Sequence, residues 1–130
     1  MYTFKKEERL CSKKLLERLF HNGSSFLLYP FRIVYLPEVL PESLNSQVVI
    51  GVSKRKFKRA VDRNLIKRRI REAYRLNKEE ALYAFLRDNQ LQLVFSINYV
   101  GKEIGSFKFI EKKLMAALKQ LVKANAQSDS

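Results

Sequence analysis

The residues best equipped for chemistry in this chain are cations, and they are concentrated in one stretch. From Lys54 to Arg75 there are eleven Lys and Arg residues against Asp62 and Glu72 alone, a net of +9 within a chain whose total is +13. The charge is therefore a patch, not a background. At about 100° per residue, Arg63, Asn64, Lys67, Arg68, Arg71 and Arg75 fall on one side of a helix. Ile66, Ile70, Ala73 and Tyr74 fall on the other. A helix charged only for solubility gains from Glu to Lys pairs four residues apart, but here Arg63, Lys67 and Arg71 occupy successive i, i+4 positions and repel one another. That repulsion is relieved when phosphates lie between the cations, each neutralised phosphate also releasing a counterion. The patch reads as a nucleic-acid surface comprising Lys54, Arg55, Lys56, Arg59, Arg63, Asn64, Lys67, Arg68, Arg71 and Arg75.

Groups for self-sufficient catalysis are absent from the pattern. A nuclease acting alone needs convergent carboxylates for metal ions, or a histidine beside a nucleophile. The one histidine, His21, sits at a helix stop, and the one cysteine, Cys11, has no second Cys for a disulfide or zinc site. Asp62 and Glu72 lie inside the basic run, where local ion pairing is their expected role, and Glu79-Glu80 suits a helix N-terminus. No catalytic residue is assigned. Among polyanions, an anionic membrane is disfavoured because the basic helix lacks the Trp, Phe and Leu of an interfacial face. RNA is favoured over duplex DNA because Arg dominates without a set of Asn, Gln or Ser side chains suited to base edges. Nine Phe and six Tyr offer rings that could stack on unpaired bases, Phe20, Phe31 and Tyr35 among them. A reduced, cytoplasmic setting fits the single cysteine. The start MYTFKKEERL has no apolar core of a signal peptide, and no run approaches a membrane span.

The elements that must position these residues are legible from periodicity. Ser12 as N-cap and Leu15, Leu16, Leu19 and Phe20 as an apolar stripe predict a first helix over 12–22, stopped at Asn22-Gly23. PFRIVYL (30–36) and QVVIGVS (47–53) read as two strands paired with each other across a proline-containing loop. The basic segment 56–75 is helical, although Phe57, Ala60 and Val61 do not share its later apolar stripe. A capping signal at Asn77, with Glu80 three positions on, predicts a separate short helix near 78–87. LQLVFSI (91–97) is apolar enough for an interior strand, and a final amphipathic helix begins near Ser106. These elements predict one α/β sandwich over 1–123, with 124–130 as a disordered tail.

At GVSKRKFKRAVDRNLIKRRIREAYR (51–75) the sequence resembles the protein subunit of bacterial ribonuclease P, whose signature is a basic helix built around Arg-Asn-Arg. The likeness extends from KEERL and LLERLF through FRIVYL and VVIGVSK to LVFSI and the closing helix. It implies an α+β two-layer sandwich: a mixed four-stranded sheet, three main helices and a left-handed βαβ crossover. It further implies a partner, a catalytic RNA that supplies the catalysis, with Mg2+ held mainly by that RNA and the substrate. The reaction implied is hydrolytic removal of the 5′ leader from precursor tRNA, with no other protein partner required. By resemblance the basic helix meets the catalytic RNA, while a cleft between the first helix and the sheet, lined by Phe20, Tyr35, Phe31 and Lys54, receives the leader. Two positions depart from the family pattern: Leu65 where the last Arg of the triplet usually stands, and Leu16 where a first-helix Phe is common. The first would remove a phosphate contact or shift it to Arg69. The competing reading is a basic ribosomal or assembly RNA-binding protein with no part in a reaction.

Overall fold

The computed structural model describes residues 4–126. Its sheet has the strand order β1-β2-β4-β3, formed by Ser24–Leu28, Phe31–Pro37, Leu93–Tyr99 and Ser46–Val52 respectively. The two strands expected to pair with each other do not touch as neighbours. β4 lies between them, antiparallel to β2 and parallel to β3. The physical reason is burial: β4 is the most buried strand, with every residue but Asn98 out of solvent, and only the sheet centre covers both its faces, while the proline-containing connector cannot form a tight hairpin. A tight turn lies elsewhere. Tyr29 and Pro30, joined by a cis peptide, connect β1 to β2 with Leu28 opposite Phe31. β1 was missed because Ser24-Ser25 and the short run after them do not alternate strongly.

The register divides side chains between two faces. Phe31, Ile33, Val48, Phe95 and Ile97 face one layer, where they meet Ile66, Ile70, Ala73 and Tyr74 of α2 (Ala60–Lys78) and Ile110, Leu114, Ala117, Leu118 and Leu121 of α4 (Phe107–Ala126). Leu19 of α1 (Lys13–Asn22) covers the opposite face with Leu10, Leu40 and Val94, and Val34, Leu36 and Val49 pack beside them. As expected, the Ser12 hydroxyl accepts from the Leu15 amide at 3.3 Å. The helix stops at Gly23 for lack of space: a Cβ there would lie 2.4 Å from the Leu19 carbonyl oxygen and 2.9 Å from that of Tyr35. The glycine lets α1 turn directly into the sheet.

Three boundaries differ from the sequence reading. α2 begins at Ala60, after a loop in which Phe57 is buried, its ring 6.1 Å from that of Tyr99. There is no break at Asn77. The chain continues through a π-helical turn, Glu79–Tyr83, into α3, Ala84–Asp88. The Asn77 amide instead donates to the Ala73 carbonyl at 2.8 Å and to Glu111 at 3.0 Å, so its polarity joins α2 to α4. Finally, α4 reaches Ala126, and Asn125 is buried with its amide on the Leu121 carbonyl. Residues 124–126 of the expected tail are thus helical; 127–130 lie outside the described residues.

Candidate nucleic-acid interface

α2 is oriented by its buried apolar residues Ile66, Ile70, Ala73 and Tyr74, none of which retains any solvent exposure. Burying that stripe turns the opposite side outward, and Asn64, Arg68 and Arg71 are exposed there with Lys67 half-buried beside them. Before the helix, Lys54, Arg55, Lys56 and Arg59 are exposed on the connection from β3. Among the described residues, Lys54, Arg55, Arg59, Lys67, Arg68 and Arg71 take part in no ion pair. The structure thus presents an uncompensated row of cations on a rigid element.

Not every expected member is free. Arg63 donates through Nη1 to the carbonyls of Phe57 (2.8 Å) and Lys58 (2.9 Å), closing the start of a helix whose Arg59 N-cap supplies no side-chain acceptor. Lys56 donates to the Val100 carbonyl at 2.7 Å, tying the loop to the end of β4. Arg75 is paired with Glu72, and that contact lowers the Glu72 pKa. Arg69 reaches the Gly105 carbonyl at 2.5 Å. Where Leu65 departs from the family triplet, the neighbouring Arg69 is therefore partly committed to fastening α2 to the loop before α4.

The aromatic set is not brought together. Phe31 is wholly buried, edge-on to Tyr99 at 5.8 Å, and has no surface to offer a base. Tyr35 lies on the α2–α4 side of the sheet, opposite Phe95 in register and 6.2 Å from Phe26, not on the side that α1 covers. The error is one of parity: β2 places its odd residues under α2 and α4. Only Phe20, 57% exposed and one turn beyond Leu16 on α1, remains available on the α1 side. Leu16 itself is half-buried against the apolar cluster beneath α1.

What does line the α1 side beyond that cluster is polar. Ser96 and Asn98 of β4 stand opposite Val34 and Arg32 of β2, and the Asn98 amide donates to Ser96 Oγ at 2.8 Å and to the Arg32 carbonyl at 3.3 Å. Across β3, Gly51 opposes Asn98, and a Cβ at Gly51 would come within 2.9 Å of the Asn98 side-chain oxygen Oδ1. Arg32 and Asn98 were missed by sequence reasoning; Ser96 is wholly buried and serves to hold the Asn98 amide. The available signal was two amide or hydroxyl residues at alternate positions of an otherwise apolar central strand. Arg9 was missed too. A parallel bridge to Val48 places it at a groove shared with Lys67 and Arg71, a proximity invisible at such sequence separation.

The N-terminal segment that carries Arg9 is anchored by a buried polar network. Glu8 accepts from Lys78, from the Tyr83 hydroxyl and, at 2.8 Å, from the Lys5 amide. Burial alone would raise the Glu8 pKa, but these hydrogen bonds and the Lys78 charge outweigh it and hold the carboxyl below 4.5. Tyr74 extends the network to Tyr83 at 3.2 Å and Ser46 at 3.3 Å, and burial raises both tyrosine pKa values. Among the described residues no group of three His, Cys, Asp or Glu side chains converges as a metal site. No helix among them is long and apolar enough to cross a membrane.

A mixed sheet flanked by helices, with a cationic crossover helix between its parallel strands, defines a small basic α+β protein. Solved bacterial proteins share this fold: the RNase P protein of Staphylococcus aureus at TM-score 0.68 and 22% identity, covering 88% of this chain and 94% of that one, and that of Thermotoga maritima at TM-score 0.69 and 23% identity, covering 87% and 96%. In sequence, the Ribonuclease P family profile matches residues 4–122. The ribonuclease P protein component of Porphyromonas gingivalis is 33% identical over 117 residues, spanning 90% of this chain and 85% of the relative, and that of Petrotoga mobilis is 43% identical over 76 residues, 58% and 61% of the respective chains. The chain belongs to the ribonuclease P protein family.

Proposed function

We propose that this chain is the protein subunit of a ribonucleoprotein that removes the 5′ leader of precursor tRNA by phosphodiester hydrolysis, with catalysis carried by the RNA subunit. The observation that carries this reading is the row of exposed, unpaired cations on the outward side of α2, on a family member whose buried residues fix that side's direction. Cations held on a rigid helix bind phosphates without first paying for their own ordering. Arg68, Arg71, Lys67 and Asn64, with Lys54, Arg55 and Arg59 before them, form the surface for the catalytic RNA. Arg63 and Lys56 support it chiefly by holding the loop.

The leader lies on the α1 side of the sheet. Its floor is Arg32, Asn98 and Gly51, where hydrogen-bonding groups and a missing side chain leave room for a single strand, and Phe20 stands at the rim as a stacking surface. Phe31 and Tyr35 take no part. Magnesium is held mainly by the RNA and the substrate, whose phosphate oxygens are the hard donors it prefers.

The test is cleavage of precursor tRNA by the purified full chain, with and without the RNA that copurifies with it. Cleavage at low magnesium with RNA, and none under multiple turnover without it, is the expected result. Turnover by RNA-free protein would overturn the proposal, as would a copurifying RNA that leaves precursor tRNA intact.

A further inference from the structure

The charge left outside the patch is not spread over the molecule. α4 carries Lys108, Lys112, Lys113, Lys119 and Lys123 against Glu111 alone, a net of +4. Together with the +9 of residues 54–75 this equals the chain's whole excess of +13, so every other segment taken together is neutral. α2 with the loop that leads into it, and α4 packed beside α2, hold all of the imbalance.

The α4 lysines are also placed. Its buried stripe is Ile110, Leu114, Ala117, Leu118, Leu121 and Asn125. At about 100° per residue, Lys108, Lys112, Lys119 and Lys123 lie opposite that stripe, and all four are exposed. Lys108 to Lys112 and Lys119 to Lys123 are i, i+4 pairs of like charge, which destabilise an isolated helix. Glu111 does not relieve them: it accepts from Asn77 of α2. None of the four has an ion-pair partner among the described residues. A surface kept for solubility would mix both signs, as the rest of this chain does.

From this segregation we infer that the outward face of α4 is a second phosphate-binding surface, gripping a segment of the catalytic RNA beyond the one held by α2. The inference rests on the proposed function, since it takes the RNA subunit as the partner. Packed helix axes lie about 8–10 Å apart, close to the Debye length of about 8 Å at physiological salt, so the two cationic faces act as one field on a large polyanion. An anionic bilayer is the poorer match, because beside its lysines this face exposes only Phe109 and Met115 as large apolar side chains, each little more than a third exposed.

The experiment is the salt dependence of the full chain's affinity for its copurified RNA, measured for two sets of variants. One replaces Lys108, Lys112, Lys119 and Lys123 by Gln; the other replaces Arg68 and Arg71 by Gln. Each phosphate contact contributes about 0.7–0.9 to the slope of log K against log salt. The α4 set is expected to lower the slope by about 3, the α2 set by about 1.4–1.8, and Lys to Arg replacements at the four α4 positions are expected to restore it. If the α4 set unfolds, the pairs Lys108/Lys112 and Lys119/Lys123 replaced separately each give about half the effect. An unchanged slope for the α4 variants with a lowered slope for the α2 variants would overturn this inference and leave the α2 interface standing. No change in either set would remove the proposed function itself. Lysine-dependent flotation with phosphatidylglycerol vesicles, alongside an unchanged RNA slope, would assign the face to a membrane and equally overturn the inference.

Discussion

At the residue scale, the arginines of α2 divide into those that face outward and those that hold the fold. Arg68→Ala and Arg71→Ala are each expected to lower the RNA salt slope by about one with an unchanged unfolding midpoint. Arg63→Ala is different. It frees the Phe57 and Lys58 carbonyls, so thermal unfolding should shift to lower temperature, and the salt slope should move less than for Arg68. Equal slopes with no thermal shift would return Arg63 to the phosphate surface. The Glu8–Lys78 pair is buried, and removing one partner leaves an uncompensated charge at a cost of about 3–5 kcal/mol. Lys78→Met should therefore destabilise strongly in urea titration, and adding Glu8→Gln should recover much of the loss. Additive losses would show that the two groups do not act as a pair.

At the scale of elements, β2 illustrates why alternation in a sequence leaves function ambiguous. FRIVYL is plainly a strand, but which parity meets α1 depends on register against β4 and on which face each helix covers, and neither is a local property. Phe20→Ala is accordingly expected to weaken binding of leader-bearing precursor tRNA relative to leaderless tRNA, and Tyr35→Ala to leave that ratio unchanged. The opposite ranking, read by competition binding to the assembled ribonucleoprotein, would restore the tyrosine to the leader path. In α2 the apolar stripe was legible because helical periodicity is local. Ile70, fully buried in the main core, should lose roughly 2–5 kcal/mol on replacement by Ala. The recapping signal at Asn77 failed for an equally physical reason: a capping residue loses its function once a neighbouring helix supplies Glu111 as a partner and the preceding turn continues.

For the whole molecule, the buried network couples the N-terminal segment to the end of α2 and gives stability a pH dependence. The Glu8 carboxyl is held below 4.5 in the folded state, so its contribution is present above that value and is lost as pH falls through the lower folded pKa. Glu8→Gln should flatten the part of the acid-unfolding curve that lies below about pH 4.5; an unaltered curve would place the acid sensitivity elsewhere. The segregation of charge into α4 and into α2 with its leading loop is likewise a property of the whole, visible only when α4 is seen beside α2. The chain's own sequence determined the existence and type of α1, α2, β2, β3, β4 and α4, the apolar side of α2 and the cationic patch, because these depend on periodicity and composition within a few turns. Only the tertiary structure decided that β4 separates β2 from β3, that Phe31 is core and Tyr35 faces away from α1, that Arg63 serves the backbone, and that Arg9, Arg32 and Asn98 border the candidate surfaces. Those outcomes depend on strand register and on contacts between residues far apart in the chain, where the competition to bury apolar surface is settled by the whole sheet at once.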